Sequence, residues 1–229
     1  MKNSLEAIHV VIPAYNEEES VGMVVEELGR LDLDLVIWVV DDGSRDATSE
    51  EADKAGARVV RHSVNIGQWG ALRTGFMLAL LDGAEIIVSI DADGQHDPKD
   101  LPRLIDAFYK EKADLVIASR FFYDGKPEML RHRRLGIRFF NKLLKIIFRY
   151  ELTDCTNGFK VYKAELIKKV LPKLKEAQYG ALEFLIKATK QDALIMEIPI
   201  KSVSNIQSSK GRVKYGYNLF RTIIKSLFD

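Results

Sequence analysis

IIVSIDADGQHDP, residues Ile86–Pro98, is the stretch that decides the fold. Four apolar residues, Ile86, Ile87, Val88 and Ile90, interrupted only by Ser89, run into three aspartates within seven positions, Asp91, Asp93 and Asp97. A short, nearly continuous apolar run fits a strand buried on both faces of a parallel sheet, and such sheets bind ligands at the carboxyl ends of their strands. The acids therefore fall where a ligand would lie. If the chain stays extended past Ile90, Asp91 and Asp93 point the same way and the amide oxygen of Gln95 continues the period, so their oxygens converge on one hard cation. Two carboxylates are not a cage. Mg2+ or Mn2+ held in this way keeps coordination positions that substrate phosphates usually fill. The plainer reading is a strand that ends in a polar turn, because Asp and Gly are common turn residues.

With 229 residues, 47% of them hydrophobic, the chain has enough apolar content for one substantial core and an appendage. Its single cysteine, Cys155, cannot close an intramolecular disulfide, so a reducing, cytoplasmic setting is expected. Residues 1–12 lack the pattern of an export signal, and no apolar stretch approaches the ~20 residues that span a bilayer. The net charge of +1 hides an asymmetry. Residues 1–119 carry 11 Lys and Arg against 23 Asp and Glu (−12), and residues 120–229 carry 23 against 10 (+13). One half is suited to a cation and the other to an anion or anionic surface, although for any single charge a solvated helix face is the simpler explanation. No nucleic-acid partner is expected.

Along the chain, strands and helices alternate. His9–Ile12 reads as a first strand, closed by Pro13, and Ser20–Leu28 as a helix with Val21, Val24, Val25 and Leu28 on one face. Leu35–Val40 is a second strand, ending in Asp41-Asp42-Gly43, after which Asp46 can cap a helix over about 47–55. Val59–Arg61 is a third strand, and the loop Asn65–Gly70 opens a helix over Ala71–Leu81 ahead of the acid-bearing strand. Asp114–Ala118 forms another strand, with Arg120 just beyond it. Thr153–Lys163 is a polar turn and short strand, Leu182–Ala188 a helix and Ala193–Ile200 a strand. Such alternation predicts an α/β fold with an open, mainly parallel sheet and helices on both faces. Paired acids end two of its strands, so one pair can hold base or ribose while the other holds metal and diphosphate. No G-x-G-x-x-G follows the first strand and there is no Walker A loop, which weakens a dinucleotide or NTPase reading. Gly67, Gly70 and Gly75 serve either ligand contact or close helix packing.

Taken together, VVIPAYNEEESV, VVDDGSRDAT, NIGQWGALRTGF, DADGQHDP, ASRF and TDCTNGFKVYK resemble the inverting nucleotide-sugar glycosyltransferases with a GT-A fold, in particular the dolichyl- and polyprenyl-phosphate mannosyl- and glucosyltransferases. Each motif is weak alone; six in order, from about residue 8 to 210, are specific. The resemblance implies a catalytic domain over 1–210, with a nucleotide-sugar half (about 1–119), an acceptor half (about 120–210) and a basic amphipathic tail (211–229). It implies that Pro13, Tyr15, Glu17, Val40, Asp42, Asp91, Ala92 and Lys210 bind the donor. It further implies that Asp91, Asp93 and Gln95 bind Mg2+ or Mn2+, and that Asp91, Asp93, Arg120 and Lys210 carry the reaction. Relatives that act on lipid phosphates usually have an arginine five or six residues before the lysine matched by Lys210, where this chain has Asn205 and Ser204. Arg212 would then supply that charge from the other side.

Residues 120–149 hold nine Lys and Arg against two acids, and from Leu135 to Arg149 apolar and basic residues interleave as in a basic amphipathic helix. Such a helix can lie on an anionic membrane surface, although a core-packing helix with a solvated basic face has the same pattern. The expected protein is a metal-dependent hexosyltransferase, peripheral on the cytoplasmic face of the membrane. Its donor is a GDP- or UDP-linked sugar and its acceptor a dolichyl or polyprenyl phosphate, held by Arg120 and Arg134 with Arg131 and Arg212. A protein or membrane-anchoring partner is left open. A phosphate acceptor arrives deprotonated near neutral pH, its second pKa being about 6. A hydroxyl acceptor, as in polysaccharide or glycan synthesis, would need a general base, for which Asp154 and Glu183 are the candidates. A non-catalytic nucleotide-sugar-binding module is a third reading, which the intact acids at 91 and 93 disfavour.

Overall fold

The computed structural model describes residues 7–120, 145, 152–176 and 180–200. Seven strands lie among these residues: β1 (Ile8–Ala14), β2 (Leu35–Asp41), β3 (Arg58–Arg61), β4 (Ile86–Ser89), β5 (Leu115–Ser119), β6 (Lys160–Lys163) and β7 (Ile195–Pro199). They form one sheet in the order β3-β2-β1-β4-β6-β5-β7. All neighbours are parallel except β6, which runs antiparallel between β4 and β5. The helices whose bounds lie among these residues are α1 (Val21–Gly29), α2 (Thr48–Lys54), α3 (Gln68–Leu81), α4 (Leu101–Lys110), α5 (Ala164–Val170) and α6 (Gly180–Thr189). α3, α5 and α6 cover one face of the sheet, and α1, α2 and α4 the other.

Local pattern explains most of these elements. Every residue of β1 is buried, as a strand covered on both faces requires. Pro13 sits in this central strand without breaking it. The last β1–β4 pair is Val11 with Ser89, so the N–H that proline lacks faces the β4 side beyond the end of the ladder. α1 buries Val21, Val24, Val25 and Leu28, the face its spacing predicts. Leu101, Leu104, Ile105 and Phe108 have the same spacing and are the buried face of α4, a helix that a strand-centred reading passes over.

Two expectations need correcting. Asp46 does not cap α2 by its own position: the residue before the helix is Ala47, and the Asp46 carboxylate accepts from the backbone N–H of Thr48 (3.1 Å) and of Glu18 (3.3 Å), which ties the loop after β1 to the start of α2. α3 begins at Gln68 rather than Ala71, directly after Gly67, whose φ of 97° is a conformation that glycine tolerates.

The glycines of α3 serve packing. A Cβ on Gly75 would lie 2.2 Å from Val11 Cγ1, so the helix rests directly on β1, while a Cβ on Gly70 would meet Ile66 Cγ1 at 2.7 Å. Gly75→Ala should therefore destabilise the protein by roughly 1–3 kcal/mol through overpacking. The denaturant midpoint measures this, and an unchanged midpoint would show that α3 can lift from the sheet at no cost. Around this contact Trp69, Phe76, Tyr162 and Phe184 form an aromatic cluster with centroid separations of 5.2 to 6.3 Å.

Candidate active site

The parallel strands deliver their carboxyl ends to one edge of the sheet, and antiparallel β6 enters from that same edge. Asp91 follows β4, Arg120 follows β5, and the turn 154–159 precedes β6. The acid motif is not a continued strand. Residues 92–94 turn, with Gly94 at φ 67°, and the Asp93 carboxylate accepts from Gln95 N at 3.0 Å. The alternation expected to aim Asp91, Asp93 and Gln95 together is thus replaced by a tight turn, because aspartate and glycine satisfy the backbone locally where no neighbouring strand does. Ala92 is buried in the core facing α1 and α4, so only its backbone borders the site.

Asp91 is held on several sides. Oδ1 accepts from Gln68 Nε2 at 2.8 Å, and Oδ2 lies 3.6 Å from His96 Nε2. Burial pushes its carboxyl up, but His96, Arg120 and Lys160 more than offset this and leave its pKa below the ordinary value. A Cβ on Gly158 would fall 2.3 Å from Asp91 Oδ2, so the carboxylate occupies a cradle that only glycine leaves open. His96 is 4% exposed, packs on Phe159, and its Nδ1 has no hydrogen-bond partner. Among the described residues no group of three or more His, Cys, Asp or Glu side chains could hold a metal ion. Asp91 and Asp93 nevertheless suit an ion that completes its shell with an outside ligand: the donor set is hard and anionic, and Asp91 is fixed with 26% of its side chain accessible.

Beside β1–β3 lies a cleft of about 570 Å3, bordered by Tyr15, Ser44, Arg45, Arg61, His62 and Asn65. Of the expected donor residues, Tyr15 is exposed there and Pro13 and Val40 are buried in their strands. The Glu17 carboxylate accepts from Ser20 Oγ (3.0 Å). Asp42 is 2% exposed: it accepts from Ile66 N (2.9 Å) and Gly67 N (2.7 Å) and lies 2.8 Å from His62 Nδ1. Its carboxylate anchors the loop that walls the cleft.

On the β5 side, Arg120 makes a two-pronged pair with Asp154, Nε to Oδ2 at 2.7 Å and Nη2 to Oδ1 at 2.9 Å. The arginine fork proposed for a phosphate is thus oriented by a fully buried carboxylate. Glu197 on β7 accepts from Thr153 N, Thr153 Oγ1 and Asp154 N, each at 2.7 Å, and fixes the turn from the edge strand. Burial raises its pKa, against the pull of those hydrogen bonds. Glu183 is 1% exposed and accepts from the backbone of Lys175 (3.0 Å) and Glu176 (2.9 Å). Cys155 is buried and its thiol is pushed up to about 12 by burial, which makes it an inert packing residue. Arg131, Arg134, Lys210 and Arg212, with the tail and all of the amphipathic stretch but Lys145, lie outside the described residues. Sequence reasoning missed Gln68, His96, Gly158, Lys160 and Glu197. His96 stands inside the acid motif and Gly158 and Lys160 inside NGFK, where position next to a motif is the only signal; Glu197 carries none.

Residues 9–171 match the sequence model of the family described as glycosyl transferase family 2. The chain is 33% identical over 201 residues to the undecaprenyl-phosphate mannosyltransferase of Micrococcus luteus, covering 84% of this chain and 82% of that one. It is 31% identical over 241 residues to the UDP-N-acetylglucosamine–dolichyl-phosphate N-acetylglucosaminyltransferase of Methanococcus voltae, covering 95% and 94% of the two chains. Its fold is that of the Mycobacterium tuberculosis glucosyl-3-phosphoglycerate synthase crystallised with Mn2+, UDP-glucose and phosphoglyceric acid, with a TM-score of 0.73 at 22% identity over 96% of this chain and 79% of that one.

Proposed function

Since the chain belongs to glycosyl transferase family 2 and is a glycosyltransferase with a GT-A fold, we propose that it moves a hexose from a GDP- or UDP-linked sugar to a polyprenyl or dolichyl phosphate, with inversion. The observation that carries the acceptor assignment is the sealing of both carboxylates that might have served as a base. Asp154 is fully buried against Arg120 and Glu183 is 1% exposed against backbone N–H groups, so an acceptor that needs no base fits this site. The activities for which the Micrococcus and Methanococcus relatives are named support the same acceptor.

In this reading Tyr15 and the adjoining cleft take the nucleoside, and Asp91 and Asp93, with Gln95, would hold Mg2+ or Mn2+. When bound, that ion supplies positive charge to the leaving diphosphate. Gln68, His96 and Gly158 keep Asp91 in place, and Lys210 adds charge from outside the described residues. Asp154 presents Arg120, which with Arg134 holds the acceptor phosphate in line. A phosphate oxygen forms a bond to the anomeric carbon as the bond from that carbon to the diphosphate breaks; no proton passes through the protein. Among the described residues no helix is long and apolar enough to cross a membrane. We place the protein peripherally on the cytoplasmic face, held by the basic stretch 131–149.

The test offers GDP-mannose, UDP-glucose and UDP-N-acetylglucosamine, with Mg2+ or Mn2+, to the protein on anionic vesicles carrying undecaprenyl or dolichyl phosphate. A sugar–phospholipid detected by mass spectrometry is the expected product. Transfer only to hydroxyl acceptors, with lipid phosphate inert, would overturn the assignment.

A further inference from the structure

Lys160 is an unusual residue for its place. It opens β6, paired with Ser89 of β4 on one side and Ile117 of β5 on the other. It therefore sits between the strand that leads to Asp91 and the strand that leads to Arg120. It shares a sheet face with Tyr162, two residues on, in the core beneath α3 and α6. It is 1% exposed, yet its ammonium makes no hydrogen bond and no ion pair within 4 Å among the described residues. Its surroundings are acidic: Asp154, Asp91 and Glu197 all act on it electrostatically. Burial lowers its pKa to about 8, with Cys155 and those carboxylates resisting, so it is charged at neutral pH.

A charged group of this kind costs several kcal/mol to bury without a close partner, whereas a methionine would fill the same volume at no such cost. What the charge does follows from the balance around it. Arg120 is already forked to Asp154, which leaves Asp91 and Glu197 to repel any anion that approaches the strand ends. We propose that Lys160 is a positioning residue of the transfer site, a fixed cation between the donor carboxylate Asp91 and the acceptor arginine Arg120 that lets a phosphate acceptor approach through an acidic floor. Its acceptor half rests on the acceptor proposed above, and its effect at Asp91 rests on the metal site proposed there.

The sign of the effects sets this role apart from a structural one. A cation near Asp91 opposes a divalent ion there, so Lys160→Met should tighten Mn2+ binding without nucleotide, read by the electron paramagnetic resonance of free Mn2+, on the order of tenfold. The same variant should raise KM for undecaprenyl phosphate on the order of tenfold, with KM for the nucleotide sugar changed less. Lys160→Arg, which keeps the charge, should retain wild-type Mn2+ affinity. Lys160→Gln should also tighten Mn2+ binding, and it decides the matter if Lys160→Met does not fold. A purely packing role would weaken Mn2+ binding in both neutral variants, and either that result or unchanged affinity in both overturns the proposal. If the Mn2+ shifts appear while the wild-type protein ignores lipid phosphate, the charge role stands and the acceptor reading falls.

Discussion

Asp93→Asn should lower sugar transfer by about three orders of magnitude while the protein stays folded, the loss of roughly 4 kcal/mol of charge stabilisation at the leaving group. Asparagine is the informative replacement. The Asp93 carboxylate accepts from Gln95 N at 3.0 Å, and an asparagine side-chain oxygen can accept the same bond, so the turn survives and only the charge is lost. With one of two carboxylates gone, Mn2+ should no longer strengthen nucleotide binding. Initial rates, and titration of GDP or UDP with and without Mn2+, measure both effects. Wild-type turnover in this variant, or full activity of the native protein in excess EDTA, would remove the metal from the mechanism.

Gly158→Ala should cost about a hundredfold in kcat/KM, the usual penalty for moving a reacting group's support by an ångström. The added Cβ would stand 2.3 Å from Asp91 Oδ2, 2.5 Å from Oδ1 and 2.6 Å from Cγ. Either the carboxylate swings away and loses the 2.8 Å bond from Gln68, or the turn that carries Asp154 and Cys155 retreats. Both outcomes disturb the line between donor and acceptor more than they disturb the core, so the denaturant midpoint should shift by no more than about 1 kcal/mol. Gly29→Ala is the control, since nothing lies within 4 Å of a Cβ there. A Gly158→Ala enzyme as fast as the native one would show that the position of Asp91 does not limit the rate.

Much of the frame was legible because it is encoded locally. The buried run of β1, the spacing of α1 and the apolar approach to Asp91 each announce themselves within a few residues, and helix and strand periods differ enough to be told apart. α4 was equally legible and is passed over only when attention stays on the strands. The aim of the Asp91–Gln95 side chains was not. Alternation holds only while a neighbouring strand keeps the chain extended, and past Ser89 the hydrogen bonds are made within the turn.

The sequence alone determined an alternating α/β chain, two strands ending in paired acids, a basic second half, and a motif order that resembles the nucleotide-sugar glycosyltransferases. Only the tertiary structure decided that β6 enters antiparallel between β4 and β5. That insertion sets Gly158 against Asp91 across 67 residues of chain and Lys160 between the two halves of the site. It also decided that Asp154 is the partner of Arg120 rather than a free base, and that Glu197 holds it from the edge strand. Strand order and ion pairing are contests among distant segments, settled by which arrangement buries apolar surface and satisfies every charge at once, and no stretch of a few residues contains their outcome.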